Sequence, residues 1–341
     1  MATWQSYRDT FTAAALAAGR PQEFIAHALT YAQHLWNSEL PIIFDEEHLA
    51  ALVGFEFTAL REALTRPRSL YQTSYIPKHS GGYRRIDALI ESLKKCQLWV
   101  LRNILQRIPV HLSANAFIVG RSIRDNALMH TGQPIVISLD VKDFFSSLSA
   151  TKCEKLFIDL GYDTGVAQML RQITTFESAL PQGAPSSPAL SNLLMRKFDA
   201  AMLKETIDRG IRYTRYADDI TVSGLCRPGS IIELCTSLLA QEGLFLNKNK
   251  TRVMLTYQRQ EVTGIVVNTR MQAPRTLRRY LRHHTHMIRT HGVPRDVARD
   301  PQSVQRYQLH LRGVAEFILF INPDDRDAKD TISLLGRVRF R

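Results

Sequence analysis

Residues 215–224 read RYADDITVSG, with two adjacent aspartates, Asp218 and Asp219, at the head of an apolar, β-prone run. Neighbouring side chains on a regular strand face opposite sides. The two carboxylates therefore converge only beside a tight turn, which the tip of a hairpin supplies. Brought together they repel, and a divalent cation seeking oxygen ligands gives a reason for both to ionise. Upstream, residues 132–145 (GQPIVISLDVKDFF) read as a buried strand that ends in Asp140 and delivers a third carboxylate to the same edge, with Asp143 pointing elsewhere. Two magnesium ions about 3.5–4 Å apart need at least three carboxylates from separate elements. Between Asp140 and the pair lies a Gly/Pro/Ser loop, LPQGAPSSP, at residues 180–188.

The rest of the chain narrows the partner. Its 341 residues suggest about two structural units. A hydrophobic fraction of 45% with 22% charged residues supports a sizeable core. Lys plus Arg number 44 against 32 Asp plus Glu, a net charge of +12. That balance favours a polyanion, nucleic acid first and an anionic membrane second. Residues 270–341 hold fifteen Arg and Lys against seven Asp and Glu, and RTLRRYLRHHTHMIRTHG (275–292) is the densest part. No apolar run reaches the roughly 18 residues of a membrane span. The N-terminus is a poor signal peptide, so the expected location is the cytoplasm. Cys96, Cys153, Cys226 and Cys235 show no CxxC spacing and read as inert thiols. Neither GxGxxG nor GxxxxGK[ST] occurs, which sets aside dinucleotide and P-loop sites.

Periodicity predicts helices over 1–70, with Asp45 and Gly54 as a start and a stop. A hairpin follows at 71–87 around HSGG, then a helix over 88–109 ended by Pro109. Helices are expected at 151–177, 187–208 and 229–243, and short strands in TRVMLTYQ (251–258) and EVTGIVVN (261–268). The remainder reads as basic helices. This is an α+β order, an antiparallel sheet with helices on one face.

In this order and spacing, the strand ending in Asp140, LPQGAPSSP and YADD (216–219) resemble the palm of a reverse transcriptase. The resemblance implies a right-hand polymerase. An N-terminal helical region spans 1–70, fingers and palm 71–265, and a basic helical thumb 266–341. It implies catalysis by Asp140, Asp218 and Asp219, which with the Val141 carbonyl hold two Mg²⁺ ions. IPKHSGGYRRI (76–86) looks like the fingers hairpin, putting Lys78 and Arg84 on the triphosphate. Phe145 falls at the position that excludes a ribose 2′-hydroxyl, Gln182 and Gly183 at the nucleotide contacts, and Lys250 of LNKNKTRV near the triphosphate.

Two further motifs, NAxxH at Asn126–His130 and VTG at Val262–Gly264, resemble the bacterial retron reverse transcriptases. LKKCQLWVLRNIL (93–105) and LRGVAEFILFINP (311–323) fit the same group. The chain departs from the family at Ala116, where glycine is frequent, and at Leu89, where proline is common. The retron type implies copying part of a cognate structured non-coding RNA, from dNTPs, into branched RNA-linked single-stranded DNA (msDNA). Priming is from a guanosine 2′-hydroxyl, in antiphage defence, with a separately encoded effector protein and no membrane partner. Asn126 and His130 are then expected at the RNA. Arg275, Arg278, Arg279 and Arg282, which share one face of a helix, form a second RNA-binding stripe. Competing readings are a group II intron-like enzyme, an abortive-infection polymerase that works without a template, and a catalytically dead RNA-binding scaffold.

Overall fold

The computed structural model describes residues 3–54, 56–65, 67–77, 81–294 and 300–337. The chain forms two compact units, each discontinuous in sequence. The first comprises residues 1–111, 142–200 and 242–244; the second comprises 112–141, 201–241 and 245–341.

The first unit is mainly helical. Asp45 caps the helix Glu46–Val53, its carboxylate accepting from the His48 amide at 2.8 Å, and Gly54 ends it in the left-handed conformation. Strands β1 (Tyr71–Pro77) and β2 (Tyr83–Leu89) form the expected antiparallel hairpin, with Ile76 opposite Arg84. The helix expected over 88–109 stops at Asn103. Ile104 is the C-cap, its amide still donating to the Val100 carbonyl, and Leu105–Arg107 form a short 3₁₀ turn, so Pro109 lies beyond the actual stop. The stretch 151–177 divides into helices Ala150–Asp159 and Thr164–Thr174, broken by Gly161 (φ 99°) and restarted by the Asp163 cap. The stretch 187–208 divides likewise at Met195, into Ser187–Leu194 and Arg196–Ile207. Gln97, fully buried on the helix Glu91–Asn103, donates to the Ile173 carbonyl and accepts from the Ser186 hydroxyl.

The second unit carries a four-stranded antiparallel sheet. Strands β3 (Ile135–Asp140), β4 (Arg212–Tyr216), β5 (Asp219–Ser223) and β6 (Arg252–Leu255) lie in the order β4-β5-β3-β6. Val136, Ile137 and Leu139 of β3 and Ile220 and Val222 of β5 are fully buried. A strand flanked on both edges and buried this completely reads in sequence as an apolar run rather than an alternation. β7 (Glu261–Val262) and β8 (Ile265–Val266) form a small hairpin whose turn is Thr263–Gly264, both at positive φ. Val262, Ile265 and Val267 share one apolar core with three helices, Arg275–His291, Pro301–Ile321 and Arg326–Arg337, through Leu281, Ile288, Leu311, Ile318 and Leu335. Among the described residues, no helix is long and apolar enough to cross a membrane.

Candidate active site

β4 and β5 meet in a two-residue turn, Ala217–Asp218, with Tyr216 paired to Asp219. β5 pairs with β3 so that Asp219 lies opposite Asp140. The hairpin tip and the strand end thus bring two carboxylates to one sheet edge, with Asp218 in the turn beside them. Ala217 has φ 57°. A left-handed backbone costs a residue with a Cβ about 1–2 kcal/mol, so something must hold it. The fully buried guanidinium of Arg215 donates from Nη1 to the Ala217 carbonyl at 3.1 Å. A charge-assisted bond of that kind contributes about 1.5–3 kcal/mol, enough to offset the strain. The Val141 amide donates to the Asp218 carbonyl at 3.0 Å, tying the turn to the end of β3.

The carboxylates are electrically crowded. Burial, then repulsion from Asp218 and Asp140, pushes Asp219 up to about 6, with Lys250 and Arg252 acting in the opposite direction. Lys250 is the last residue of the 3₁₀ turn Lys248–Lys250, and its Nζ lies 2.8 Å from Asp140 Oδ2. That hydrogen bond, together with the three negative charges nearby, raises the Lys250 pKa. The edge therefore fits cations by chemistry: three oxygen-bearing side chains repel one another and have drawn an ammonium group in among them. Among the described residues, no three His, Cys, Asp or Glu side chains form a closed metal cage as they stand. At Asp140 the cationic place is held by Lys250.

The sign of the Asp219 shift sets a pH dependence. Unfolded, the carboxyl ionises near its ordinary 3.8; folded, it keeps its proton until about 6. At this group the folded state therefore binds more protons across that window, and its contribution to stability falls as pH rises from about 4 to about 6. In EDTA, the melting temperature of the wild type should fall relative to that of the Asp219→Asn variant through this range, the variant lacking that part of the slope. An equal slope in both proteins would exclude Asp219 as its source.

The other expected residues divide between the units. In the first, the carbonyl of Gln182 accepts from the Asp87 amide at 2.8 Å, fastening LPQGAPSSP to β2. Ser187 closes the loop on itself by donating to the Pro181 carbonyl. At Gly183, φ is 115°, and a Cβ would lie 3.1 Å from Ile86 and 3.3 Å from the Asp87 carbonyl oxygen. Ile86 and Arg84 are two apart on β2, so the exposed Arg84 shares the strand face that meets Gly183. Phe145 sits half-buried on the turn of helix Phe144–Ser147, its ring 5.4 Å from that of Phe144. Lys78 lies outside the described residues.

Two of the expected RNA-contact groups sit otherwise than a free surface would have them. Asn126 and His130 are both fully buried. The helix Ile123–Leu128 starts at a Ser122–Asp125 capping box and turns Asn126 inward, where its Oδ1 accepts from Asn115. His130 spans the hairpin from behind, with Nε2 2.7 Å from Thr214 Oγ1 on β4 and Nδ1 2.7 Å from Ser223 Oγ on β5. Burial, with Arg212 adding to it, lowers its pKa to about 3, so the ring is neutral and bonds through both nitrogens. The VTG turn joins the same assembly, the Thr263 hydroxyl donating to the Ile123 carbonyl. Nor is the arginine stripe uniform. Arg275, Arg279 and Arg282 are exposed, but Arg278 turns into ion pairs with Asp325 at 2.9 Å and Asp327 at 3.7 Å, and Arg282 also reaches Asp327 at 3.5 Å. Arg215 was not singled out from sequence. Its place next to YADD was visible, but its burial was not.

With this edge described, the family follows. Residues 76–292 match the family described as "Reverse transcriptase (RNA-dependent DNA polymerase)", and the chain belongs to it. The type is equally defined. The chain is 33% identical over 312 residues to the Retron Mx65 reverse transcriptase of Myxococcus xanthus, a match covering 84% of this chain and 71% of that protein. It is 33% identical over 243 residues to the Retron Ec86 reverse transcriptase of Escherichia coli, covering 69% and 74%. It is a bacterial retron-type reverse transcriptase, an RNA-directed DNA polymerase. A solved telomerase from Candida albicans aligns with a TM-score of 0.45 at 12% identity, over 78% of this chain and 63% of that one.

Proposed function

We propose that this polymerase copies part of a cognate structured non-coding RNA into msDNA, with synthesis primed from the 2′-hydroxyl of one guanosine. The product acts in antiphage defence with a separately encoded effector. The observation that carries the reading is the Asp140–Asp219 pairing at the sheet edge in a chain matched over 84% of its length by a retron enzyme. In this reading residues 71–265 make the fingers and palm, and 266–341 the thumb.

Asp140, Asp218 and Asp219, with the Val141 carbonyl, are the ligands for Mg²⁺. A pair of ions held there supplies the charge that activates the attacking hydroxyl and steadies the phosphate in transfer. Lys250, which contacts Asp140 here, would be within reach of the triphosphate of a bound nucleotide once that carboxylate is engaged by a cation. Arg84 and Lys78 neutralise charge on the departing pyrophosphate. Gln182 and Gly183 line the nucleotide, glycine permitting close backbone approach. Phe145 rejects the ribose 2′-oxygen. The exposed Arg275, Arg279 and Arg282 follow the phosphates of the structured RNA.

The test is to purify the protein from its native cells and sequence the bound nucleic acid before and after treatment with a 2′,5′-debranching enzyme. Single-stranded DNA joined to a guanosine of one RNA, and released by debranching, is expected. Recovery of unbranched DNA alone would overturn the priming assignment.

A further inference from the structure

We infer that Arg215 is a positioning residue for Asp218, acting through the Ala217 peptide; this rests on reading Asp218 as a catalytic ligand. Three observations carry it. First, Ala217 is 7% exposed and adopts φ 57°, a conformation that glycine enters freely and alanine does not. Second, Arg215 is fully buried two residues before it, on the strand that leads into the turn, and its Nη1 donates back to the Ala217 carbonyl. Third, the carbonyl of Asp218 is held by the Val141 amide. The peptides on either side of Asp218 are therefore each held by a hydrogen bond, and the turn's strained residue is the one the guanidinium grips.

The base of this clamp is also fixed. The backbone amide of Arg215 donates to the Ser113 carbonyl, and its carbonyl accepts from the Asn115 amide, both at 2.8 Å. Asn115 in turn donates to Asn126, and His130 bonds Thr214, the residue before Arg215. The NAxxH segment thus braces the strand from which Arg215 reaches its own turn. A residue that only filled the core would need no donor aimed at this carbonyl. One that set the turn would be partly dispensable if the turn carried no strain.

That contrast is the experiment. Nucleotide-addition rate and primer–template Kd are measured for Arg215→Met, Ala217→Gly and the double variant. Arg215→Met should slow addition about 10- to 100-fold with Kd changed less than about twofold, because substrate contacts are untouched. Ala217→Gly alone should stay within about threefold of wild type. The double variant should recover about fivefold over Arg215→Met, since glycine takes the turn unaided. Should Arg215→Met fail to fold, Arg215→Lys replaces it in the same pairing. Equal losses with and without the glycine, or a parallel rise in Kd, would overturn the inference. Asp218→Asn, run alongside, reports separately on the underlying reading: full activity there removes both.

Discussion

Asp140→Asn and Asp218→Asn should each reduce nucleotide addition at least about 1,000-fold, roughly 4 kcal/mol of transition-state stabilisation, and should leave primer–template binding in place. Asparagine matches aspartate in shape but carries no charge, so the backbone of the turn and of β3 has no reason to move. What disappears is negative charge at the edge where Asp140 faces Asp219. The Asp140 change also releases Lys250 from its 2.8 Å contact. Primer extension with Mg²⁺, read beside a filter-binding assay, checks both halves of the expectation. Near-normal synthesis by either variant would remove that aspartate from the catalytic set.

Arg278→Ala has the largest expected effect on stability. Asp325, only 2% exposed, faces Arg278 at 2.9 Å and caps the last helix by accepting from the Ala328 amide. Arg278 also donates to the Gln272 side chain. Truncating it leaves a buried carboxylate without its cation, a loss of about 3–5 kcal/mol. At about 2–4 °C per kcal/mol for a unit of this size, the melting temperature should drop by around 10 °C. Arg275→Ala and Arg279→Ala lie on the exposed side of the same helix and should change stability by less than about 0.5 kcal/mol. Scanning calorimetry on the three variants separates the two kinds of arginine. Equal melting points would mean that the ion pair contributes nothing.

The same comparison marks how far the sequence could be read. YADD at a hairpin tip, the strand ending in Asp140 and the Gly/Pro/Ser loop were legible because each depends on neighbours within a few residues. Arg278 was misjudged because 3.6-residue periodicity sorts a helix into faces without saying which face meets another helix. Leu281, Thr285 and Ile288 form the buried seam, Arg278 borders it, and its partner lies 47 positions downstream, at Asp325. Asn126 and His130 are polar, so they read as contacts for a polar ligand. His130 bonds Thr214 and Ser223, 84 and 93 positions away, and Asn126 accepts from Asn115. The split between 151 and 177 was within reach, since Gly161 and the Asp163 cap are ordinary stop and start signals.

The interleaving of the two units bears on how the protein is made. The first unit lacks residues 242–244 until they have been made, and the central sheet lacks its β6 edge until Arg252–Leu255 have been made. Neither can close on the ribosome as an N-terminal domain ordinarily does. The nascent chain must carry its apolar β3 for over a hundred residues before β6 arrives. Long-range pairing of this kind slows folding and exposes strand edges to other chains. A fragment cut between residues 224 and 251 holds all three carboxylates and strands β3, β4 and β5, but leaves the other edge of β3 without its partner.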